Sequence, residues 1–563
     1  MVSGFVIFIP ILAALVYLCI SRKYEGEAAV IGSIASLIIF LLFKEELYPS
    51  SIFSGFLPLN IVLDFSFMHS ILAFLVLFIG TLTSFFSLGF IEEKSQKKRY
   101  FVELLLFEAS MLLFSISGTL IGIFIGWELM SVTSFLLIGF YRNKRSNAAS
   151  RLSFNFVLIG DFALLAAIAI SIAKFSTTSI SYINTITGSY STIIAILIIL
   201  AVITKSAQFP FYEWLAEAME GPTPVSAYLH SSTMVKAGVF LAIILYPLLY
   251  NSHVISLLLI FSVITAVIAT YNAIREFHIK RVLAYSTIQE LSLISIATSL
   301  GAISAAFYLF LAQAFYKSLN FFSSGNVMKA IGEEDLRKVR SIRSSRQLFA
   351  YALIGVFSMA GIFPFDGFLS NYYYSFIPGL LVNLFLLTIS LFTAALAFRW
   401  FYFPNRGPYD PRYRILPKST IYSMPLLALM CLLASFAPFY LPPLSQLPKI
   451  GLNKNLATSL IVPFLGAVFG IYLAKRSKED IEESSFITRI SMGAYSLLAK
   501  AVYELSAAFG MFDYALSDAL DNVAILTSKL GEYVRRVTFG QINAYLILFS
   551  IAFILLFILY YVK

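Results

Sequence analysis

Apolar runs of about twenty residues recur along the whole chain, separated by short polar stretches. Because a helix needs about 20 mostly apolar residues to cross a bilayer, each run predicts a membrane span. The pattern predicts about sixteen spans, numbered here in chain order: 2–20, 27–43, 66–90, 101–117, 119–140, 149–173, 190–210, 223–248, 254–274, 281–299, 302–323, 347–379 (interrupted), 381–403, 419–440, 456–475 and 541–562. We therefore expect an all-α, polytopic membrane protein.

One segment, 478–538, has no long apolar run. Its charged residues stand among apolar residues that recur every three or four positions, such as Leu516, Leu520 and Val523. This spacing predicts amphipathic helix. The segment forms either one long helix or several short helices lying on the membrane surface.

Positive charge alternates between successive loops. The loops after odd-numbered spans are basic, as with Arg142 and Lys144 after span 5. The loop after span 7 is the exception, since it has three glutamates and no Lys or Arg. The loops 250–253, 298–302 and 374–380, which follow even-numbered spans, contain no Lys or Arg. Since Lys and Arg are enriched in cytoplasmic loops, the alternation predicts that the odd loops are cytoplasmic and both termini lie outside. We expect a multi-pass protein of the plasma membrane.

Composition narrows the class further. Only 12% of the 563 residues are charged, and 59% are hydrophobic. A soluble domain has about 25% charged residues, so a soluble enzyme, a nucleic-acid binder and a secreted disulfide scaffold are excluded. The two cysteines, Cys19 and Cys431, lie in apolar runs and form no metal motif. Any iron–sulfur cluster is therefore expected in a partner subunit.

Ionisable residues inside the predicted spans are the candidates for function. Each costs at least about 2.5–3.5 kcal/mol at mid-membrane, so it must be paired, neutralised or hydrated. They are Glu128, Asp161, Lys205, His230, Lys236, Glu290, Lys317 and Asp366. Asp64, Glu103 and Glu108 lie near span ends, where they can face interfacial water.

Two interpretations of these residues stay open. They can be static salt bridges that fix helix packing, and His230 can be a neutral packing histidine. Alternatively, a conformational step that separates Glu128 from Lys205 would deprive the lysine of its counter-charge and favour release of its proton. That is the chemistry of a proton pump, and it needs no cofactor.

A repeated tripeptide indicates internal duplication. Phe-Pro-Phe occurs at 209–211 and at 363–365, five spans apart. Proline removes a backbone hydrogen bond, and opened backbone in a membrane is tolerated only where protein or water satisfies it. Broken helices at matching places predict two inverted repeats, spans 4–8 and 9–13, in which Glu128 corresponds to Glu290.

Several motifs resemble one known family. They are Gly126-Trp127-Glu128, Lys205-Ser206-Ala207-Gln208, Gly221-Pro222-Thr223-Pro224-Val225-Ser226-Ala227, Lys280-Arg281-Val282-Leu283-Ala284-Tyr285-Ser286-Thr287 and Ala314-Phe315-Tyr316-Lys317. Together they resemble the antiporter-like subunits of respiratory complex I, the NADH-quinone oxidoreductase. The C-terminal part, from Phe512 to Tyr545, looks like the lateral and anchor helices of the L type.

The resemblance implies an organisation of the chain. It implies spans 1–3 in 1–100, inverted repeats in 101–248 and 249–403, spans 14 and 15 in 404–477, a lateral helix in 478–538 and an anchor helix in 539–563. The lateral helix would lie along M-, N- and K-type neighbours. The chain would carry no cofactor and no redox chemistry, since FMN, the iron–sulfur clusters and quinone belong to partner subunits.

The resemblance also implies roles for residues. Glu128 and Lys205 match the glutamate–lysine pair of the family, Asp161 an acid near it, His230 a bridging histidine, and Lys236 and Lys317 two further lysines. The chain departs from the family pattern at Leu309, Gln313 and Asn371, where two histidines and a lysine are usual. Our hypothesis is that Glu290 or Asp366 takes over terminal proton transfer.

These observations predict a proton-translocating membrane-arm subunit. One alternative is a subunit of an Mrp-type cation/proton antiporter, which would also move sodium. Others are the membrane arm of a hydrogenase or another dehydrogenase complex, and a subunit whose role is structural.

Overall fold

The computed structural model describes Pro10 and residues 26–43, 50–52, 61–92, 94–339, 345–406, 413–441, 444, 447–448 and 454–476. All of them belong to one compact unit, Met1–Ile481. Most of span 1, the lateral segment 478–538 and span 16 lie outside the described residues, so the predictions for these parts stay predictions.

Helices dominate the described residues. Those of the N-terminal half are α1 (Glu27–Phe43), α2 (Phe67–Phe90), α3 (Lys94–Ser115), α4 (Leu120–Ile138), α5 (Lys144–Phe175), α6 (Ile180–Ile183), α7 (Ser189–Lys205), α8 (Glu213–Glu217), a 3-10 turn (Ala218–Glu220), α9 (Thr223–Leu229), α10 (Met234–Ile244) and α11 (Tyr246–Asn251). Those that follow are α12 (Ile255–Arg275), α13 (Ile279–Ser299), α14 (Ile303–Ile331), α15 (Arg346–Ala360), α16 (Asp366–Tyr374), α17 (Leu380–Asn405), α18 (Lys418–Tyr422), α19 (Met424–Leu433), a 3-10 turn (Ala434–Phe436), α20 (Ala437–Tyr440) and α21 (Lys454–Arg476).

Within the described residues, eight helical stretches are long and apolar enough to cross a membrane. Three shorter apolar helices, α1, α7 and α15, accompany them. A multi-pass membrane protein is therefore confirmed, while the total of about sixteen spans stays a prediction. Helix α1 has the bounds predicted for span 2, whereas α3 begins at Lys94, well before the start predicted for span 4.

The two Phe-Pro-Phe sequences interrupt helices, as predicted. Helix α7 ends at Lys205, and Ala207 follows with φ 51°. Helix α15 ends at Ala360, and Gly361 follows with φ 78°. At each helix end, a backbone N–H donates to the carbonyl oxygen of the residue five positions earlier. Gln208 N donates to Ile203 O at 2.8 Å, and Ile362 N donates to Phe357 O at 2.9 Å. A left-handed residue with this bond caps the carbonyls that an ending helix leaves free.

Span 8 contains a further interruption that the sequence interpretation missed. It is divided into α9 and α10 by His230–Thr233. The hydroxyl of Ser231 donates to Ala227 O, while the hydroxyls of Ser232 and Thr233 donate to Tyr228 O at 3.0 and 2.6 Å. Three consecutive hydroxyl groups thus satisfy the last carbonyls of α9 without a proline.

A short two-stranded sheet and one β-bridge connect the segments that precede α2 and α4. Strands β1 (Ser50–Ile52) and β2 (Ile61–Leu63) pair antiparallel, with Ser50 opposite Leu63. Leu63 also forms a β-bridge with Ser117. The sequence interpretation did not predict these strands, which are short and flank a predicted span.

Candidate functional site

The first buried ion pair joins α5 and α7. Lys205 Nζ lies 3.9 Å from Asp161 Oδ1, and the two side chains are 0% and 2% exposed. The helices approach closely here because the preceding residue on α5 is Gly160, where an added Cβ would collide with the Thr204 hydroxyl. This close approach places Asp161 beside Lys205.

Helix α4 supplies the remaining partners of this pair. Lys205 Nζ donates to Ser131 Oγ at 2.6 Å and lies 4.6 Å from the centre of the Trp127 ring. Trp127 Nε1 donates to Asp161 Oδ1 at 2.5 Å, and Ser131 Oγ lies 3.0 Å from Asp161 Oδ2. The ammonium and the carboxylate therefore share one hydroxyl group, which is a short path for a proton.

Glu128 has a different position from the one expected. It is half-buried, between the buried Trp127 and Leu129, which is 50% exposed. No ion pair within 4.0 Å joins it to Lys205, although each charge acts on the other over a longer distance. Successive residues of a helix are about 100° apart, so the residue after an inward-facing Trp127 cannot also face Lys205. Asp161 has the contact expected for Glu128.

The second buried ion pair joins α13 and α14. Lys317 Nζ lies 3.2 Å from Glu290 Oε1, and both side chains are buried. The same ammonium donates to Ser286 Oγ at 2.6 Å and lies 3.7 Å from Met359 Sδ on α15. An ammonium, a carboxylate and a serine hydroxyl thus meet here as they do around Lys205.

Lys236 lies on α10 and is fully buried. Its Nζ donates to Phe310 O at 2.5 Å and lies 4.8 Å from the centre of the Phe310 ring. Among the described residues no carboxylate lies within ion-pair distance of it, and the acids whose charges act on it are Glu290 and Asp366. Its ammonium is therefore held by a carbonyl and a ring face.

His230 occupies the interruption between α9 and α10. Its ring is fully buried and lies 6.0 Å from the centre of the Trp214 ring. Neither ring nitrogen has a hydrogen-bond partner among the described residues. Both nitrogens are therefore left to partners other than the described side chains and backbone, such as water.

Asp366 begins α16, directly after the second Phe-Pro-Phe break. Its Oδ1 accepts from the hydroxyl of Ser358 and from Gly367 N at 2.9 Å, while Oδ2 has no partner in the described part of the chain. Its backbone carbonyl accepts from Tyr308 OH at 3.2 Å.

Leu309, Gln313 and Asn371 are the positions at which the chain departs from the family pattern. Asn371 Nδ2 lies close to the backbone of Gly361.

Glu103 and Glu108 differ from each other. Glu103 forms an ion pair with Arg99 at 2.6 Å, one turn away on α3. Glu108 is fully buried and accepts from Ser33 Oγ at 2.9 Å, so the expectation that it faces interfacial water was wrong. The reason is the early start of α3, which places Glu108 about four turns into the helix.

The beginning of α13 is tied to the chain before α9. Lys280 Nζ donates to Met219 O and to Gly221 O, the latter at 2.8 Å. Arg281 Nη2 lies 3.0 Å from Glu217 Oε2. In the loop after α14, a hydrogen bond from His278 lowers the pKa of Glu334 below its ordinary value. The contacts of Lys280 and Arg281 connect the two halves of the chain, whereas His278 and Glu334 both belong to the second half.

The sequence interpretation missed Ser131 and Ser286, the hydroxyl partners of the two lysines. A signal for both was present. Ser131 follows Trp127 of the Gly126-Trp127-Glu128 motif by four residues, and Ser286 precedes Glu290 by four, so each shares a helix face with a residue that the sequence had already singled out. Among the described residues no cluster of three or more His, Cys, Asp or Glu could hold a metal ion.

Comparison with known proteins defines the class to which this arrangement belongs. Residues 117–397 match the family model described as NADH:quinone oxidoreductase/Mrp antiporter, TM. The chain is 32% identical over 513 residues to NADH-quinone oxidoreductase subunit L of Campylobacter jejuni, covering 85% of each chain. It is 29% identical to NAD(P)H-quinone oxidoreductase subunit 5, chloroplastic, of Chaetosphaeridium globosum, covering 96% of this chain and 93% of that one.

Further likenesses come from the antiporters and from solved structures. The chain is 35% identical to an Na(+)/H(+) antiporter subunit of Alkalihalophilus pseudofirmus, over 56% of this chain and 42% of that one. The Mrp complex from Dietzia sp. DQ12-45-1b has a similar chain, with TM-score 0.78, 24% identity, and coverage of 90% of this chain and 60% of that one. A chain of the archaeal membrane-bound sulfane sulfur reductase has TM-score 0.70, 19% identity, and coverage of 84% and 99%. At these identities the structural likeness establishes the fold.

The fold and the buried charges define a multi-pass membrane subunit with ionisable groups inside its helix bundle. The chain belongs to the family of membrane subunits shared by NADH:quinone oxidoreductases and Mrp antiporters.

Proposed function

We propose that this chain is the proton-translocating, L-type membrane-arm subunit of a complex I-like oxidoreductase. The observation that carries the proposal is the series of buried lysines, two of them paired with carboxylates: Lys205 with Asp161, and Lys317 with Glu290. Buried charge inside membrane spans is costly and marks ion pathways. The likeness to an oxidoreductase subunit L over 85% of the chain supports the parent complex.

Proton movement in this proposal depends on opening and closing the ion pairs. When a rearrangement moves Asp161 away from Lys205, the ammonium loses its counter-charge and releases its proton; closing the pair favours uptake. Ser131, which touches both groups, is placed to pass the proton between them. Glu128 acts on Lys205 through its charge over a longer distance.

The relay continues through His230 and Lys236 to Lys317. Because the His230 nitrogens have no partner among the described residues, water is the natural donor and acceptor for them. Glu290 and Asp366 act on Lys236 through their charges, and Asp366 has an oxygen without a partner in the described residues. We assign terminal proton transfer to Glu290 or Asp366.

The proposal assigns electron transfer to other subunits. FMN, the iron–sulfur clusters and quinone belong to these partners, and this chain carries out no redox step. Its repeats are 101–248 and 249–403. Support for them comes from the equivalent helix ends at Ala207 and Gly361. The parent complex lies in the plasma membrane, with the basic loops cytoplasmic and both termini outside. The lateral helix 478–538 contacts the M-, N- and K-type neighbours.

A role in a cation/proton antiporter is the second candidate. The 35% identity over 341 residues to an Na(+)/H(+) antiporter subunit favours it. Both functions need buried acids and lysines, so the transported ion distinguishes them. Transport that requires sodium would favour the antiporter.

The test uses the intact complex reconstituted in vesicles, with proton translocation measured during turnover. Lys205→Ala and Lys317→Ala should each abolish most translocation, and Glu128→Gln should impair it. Lys174→Ala is the matched control, because Lys174 is an exposed lysine of α5. Full translocation in both Lys205→Ala and Glu128→Gln would contradict the proposal. Translocation that survives loss of every buried lysine would favour a structural role.

A further inference from the structure

A buried histidine outside the lysine series pairs with an acid at the surface. His69 Nε2, on the first turn of α2, lies 3.6 Å from Asp64 Oδ2. The His69 side chain is 5% exposed and that of Asp64 is 36% exposed. The pair therefore connects the inside of the helix bundle with its surface.

The hydrogen bonds of the ring leave the nitrogen that faces Asp64 free to exchange a proton. His69 Nδ1 lies 2.7 Å from Ser115 O. A carbonyl only accepts, so Nδ1 carries its hydrogen and donates it. Nε2, which faces the carboxylate, is then the nitrogen that takes up and releases a second proton.

The position of Asp64 is set by backbone. Asp64 N donates to Ile116 O at 2.7 Å, and Gly118 N donates to Val62 O at 2.8 Å. Asp64 Oδ1 accepts from Ser66 N at 2.7 Å, which is a turn-forming contact at the beginning of α2. The turn uses only Oδ1 of Asp64, so it does not account for the position of Oδ2 beside His69 Nε2.

One aromatic layer separates this pair from Lys236. The Phe240 ring meets His69 edge-on, with centres 5.3 Å apart and planes at 86°. Phe240 follows Lys236 by one turn of α10, and its ring centre lies 6.0 Å from that of Phe310. Lys236 Nζ lies against the other ring, 4.8 Å from the centre of Phe310. The path from Lys236 to His69 therefore passes the Phe310 and Phe240 rings in turn, and water would have to bridge it when the rings move apart.

The direction of this path agrees with the predicted topology. Asp64 precedes α2 and lies between predicted spans 2 and 3, in a loop that the charge pattern assigns to the outer face. Helix α10 runs from the interruption at His230 toward the outer loop 250–253, so Phe240 is nearer the outer face than Lys236. The series Lys236, Phe240, His69 and Asp64 thus leads outward.

We propose that His69 and Asp64 form a proton-release site on the outer face, supplied from Lys236 across a gate made by Phe310 and Phe240, of which Phe240 touches His69. The inference rests on the proposed function, in which Glu290 or Asp366 makes the last transfer among the buried groups, and it adds the step from Lys236, on which both acids act through their charges, to the outer face. When the Phe310 and Phe240 rings move aside, the Lys236 ammonium loses one proton through bridging water, and His69 Nε2 gains it. The resulting imidazolium then passes the proton from Nε2 to Asp64 or directly to outside water and becomes neutral. No oxidant, reductant or cofactor takes part.

The test measures proton translocation and electron transfer by the reconstituted complex. His69→Gln retains an amide that can donate to Ser115 O but cannot take up a proton. Asp64→Asn retains Oδ1 for the contact with Ser66 N but removes the charge. His253→Asn is the matched control, because His253 is an exposed histidine at the same predicted face with φ 57°, a conformation that asparagine tolerates.

We expect His69→Gln to lower translocation about 100-fold, the lower end of the range for loss of a proton-transferring side chain. Asp64→Asn should lower it less, and the double variant should resemble His69→Gln because the two residues act in series. Imidazole added at the outer face should restore part of the rate to His69→Gln. A purely structural histidine would not respond to imidazole, so an unresponsive His69→Gln would overturn the proposal.

Phe240→Ala provides a measurement that does not depend on His69→Gln assembling. It should raise the passive proton leak of resting vesicles by opening the aromatic layer, and Asp64→Asn in the same background should reduce that leak. If Phe240→Ala does not leak, or His69→Gln translocates as well as His253→Asn, the proposal is overturned. Lys205→Ala distinguishes failure of this release site from failure of the proposed function. Loss of translocation in Lys205→Ala with a normal His69→Gln would leave the proposed function standing and remove only this release site.

Discussion

The ammonium of Lys317 lies 3.7 Å from the sulfur of Met359, and Met359 takes the place of Lys205 when the two Phe-Pro-Phe sequences are aligned residue for residue. Each half of the chain therefore brings an ammonium to the end of its broken helix. In the first half the lysine belongs to α7 itself, whereas in the second it comes from the neighbouring α14. Each ammonium has a carboxylate and a serine hydroxyl beside it.

Removing Asp161 should destabilise the protein through Lys205. Asp161→Asn leaves a buried ammonium without its counter-charge, a change that typically costs about 3–5 kcal/mol. Lys205→Met added to Asp161→Asn should recover part of this loss, because the unpaired charge is then gone. The measurement is thermal unfolding of the purified complex. A double variant at least as unstable as the sum of the two single variants would contradict the ion pair.

The pair Glu290–Lys317 should show stronger coupling than Asp161–Lys205. Its nitrogen–oxygen distance is 3.2 Å against 3.9 Å, and Asp161 also accepts hydrogen bonds from Trp127 and Ser131. Coulomb attraction falls with distance, and competing donors spread the charge of Asp161. A double-mutant cycle with Glu290→Gln and Lys317→Met, compared with the corresponding cycle for the first pair, measures this. The reverse order of coupling energies would refute it.

Apolar length and proline were sufficient to predict much of the helical framework. They predicted the bounds of α1 and the breaks after Lys205 and Ala360, because both signals are local. The interruption at His230–Thr233 was missed, since its helix end is closed by hydroxyl groups. The partner of Lys205 also depends on how α4 and α5 are rotated against α7. Spacing along a single helix contains no information on that rotation.

The ends of α7 and α15 should respond oppositely to exchange of Ala and Gly. Ala207 has φ 51°, a conformation that costs a residue with a Cβ about 1–2 kcal/mol, so Ala207→Gly should be neutral or stabilising. Gly361 has φ 78°, and an added Cβ would collide with Asn371 Nδ2, so Gly361→Ala should destabilise by more than this conformational cost. Thermal unfolding of the two variants checks both signs. Gly361→Ala/Asn371→Ala removes the collision and should keep only the conformational cost, whereas a Gly361→Ala variant as stable as the parent complex would contradict both contributions.

Lys280 should hold the chain before α9 in place. Its Nζ donates to two backbone carbonyls, Met219 O and Gly221 O, in a buried site. Hydrogen bonds that involve a charged group contribute about 1.5–3 kcal/mol each, so Lys280→Met should destabilise this region. Hydrogen exchange of the complex should show faster exchange in 218–230 for Lys280→Met than for the exposed control Lys174→Met. Equal protection in both variants would show that the carbonyl contacts do not hold this segment.

Glu108 should tolerate loss of its carboxyl group, unlike Glu290. Ser33 Oγ donates to it at 2.9 Å, and no cation lies within ion-pair distance of it among the described residues. A buried carboxylate without a cation is costly, whereas an amide of the same volume still accepts from Ser33. Glu108→Gln should therefore unfold at the same temperature as the parent complex or higher. Glu108→Ala should unfold earlier, because it leaves a cavity and removes the shorter of the two contacts of Ser33 Oγ, 2.9 Å to Glu108 against 3.4 Å to Ser84 Oγ. If Glu108→Gln were as destabilising as Glu290→Gln, a positive charge would have to lie against Glu108.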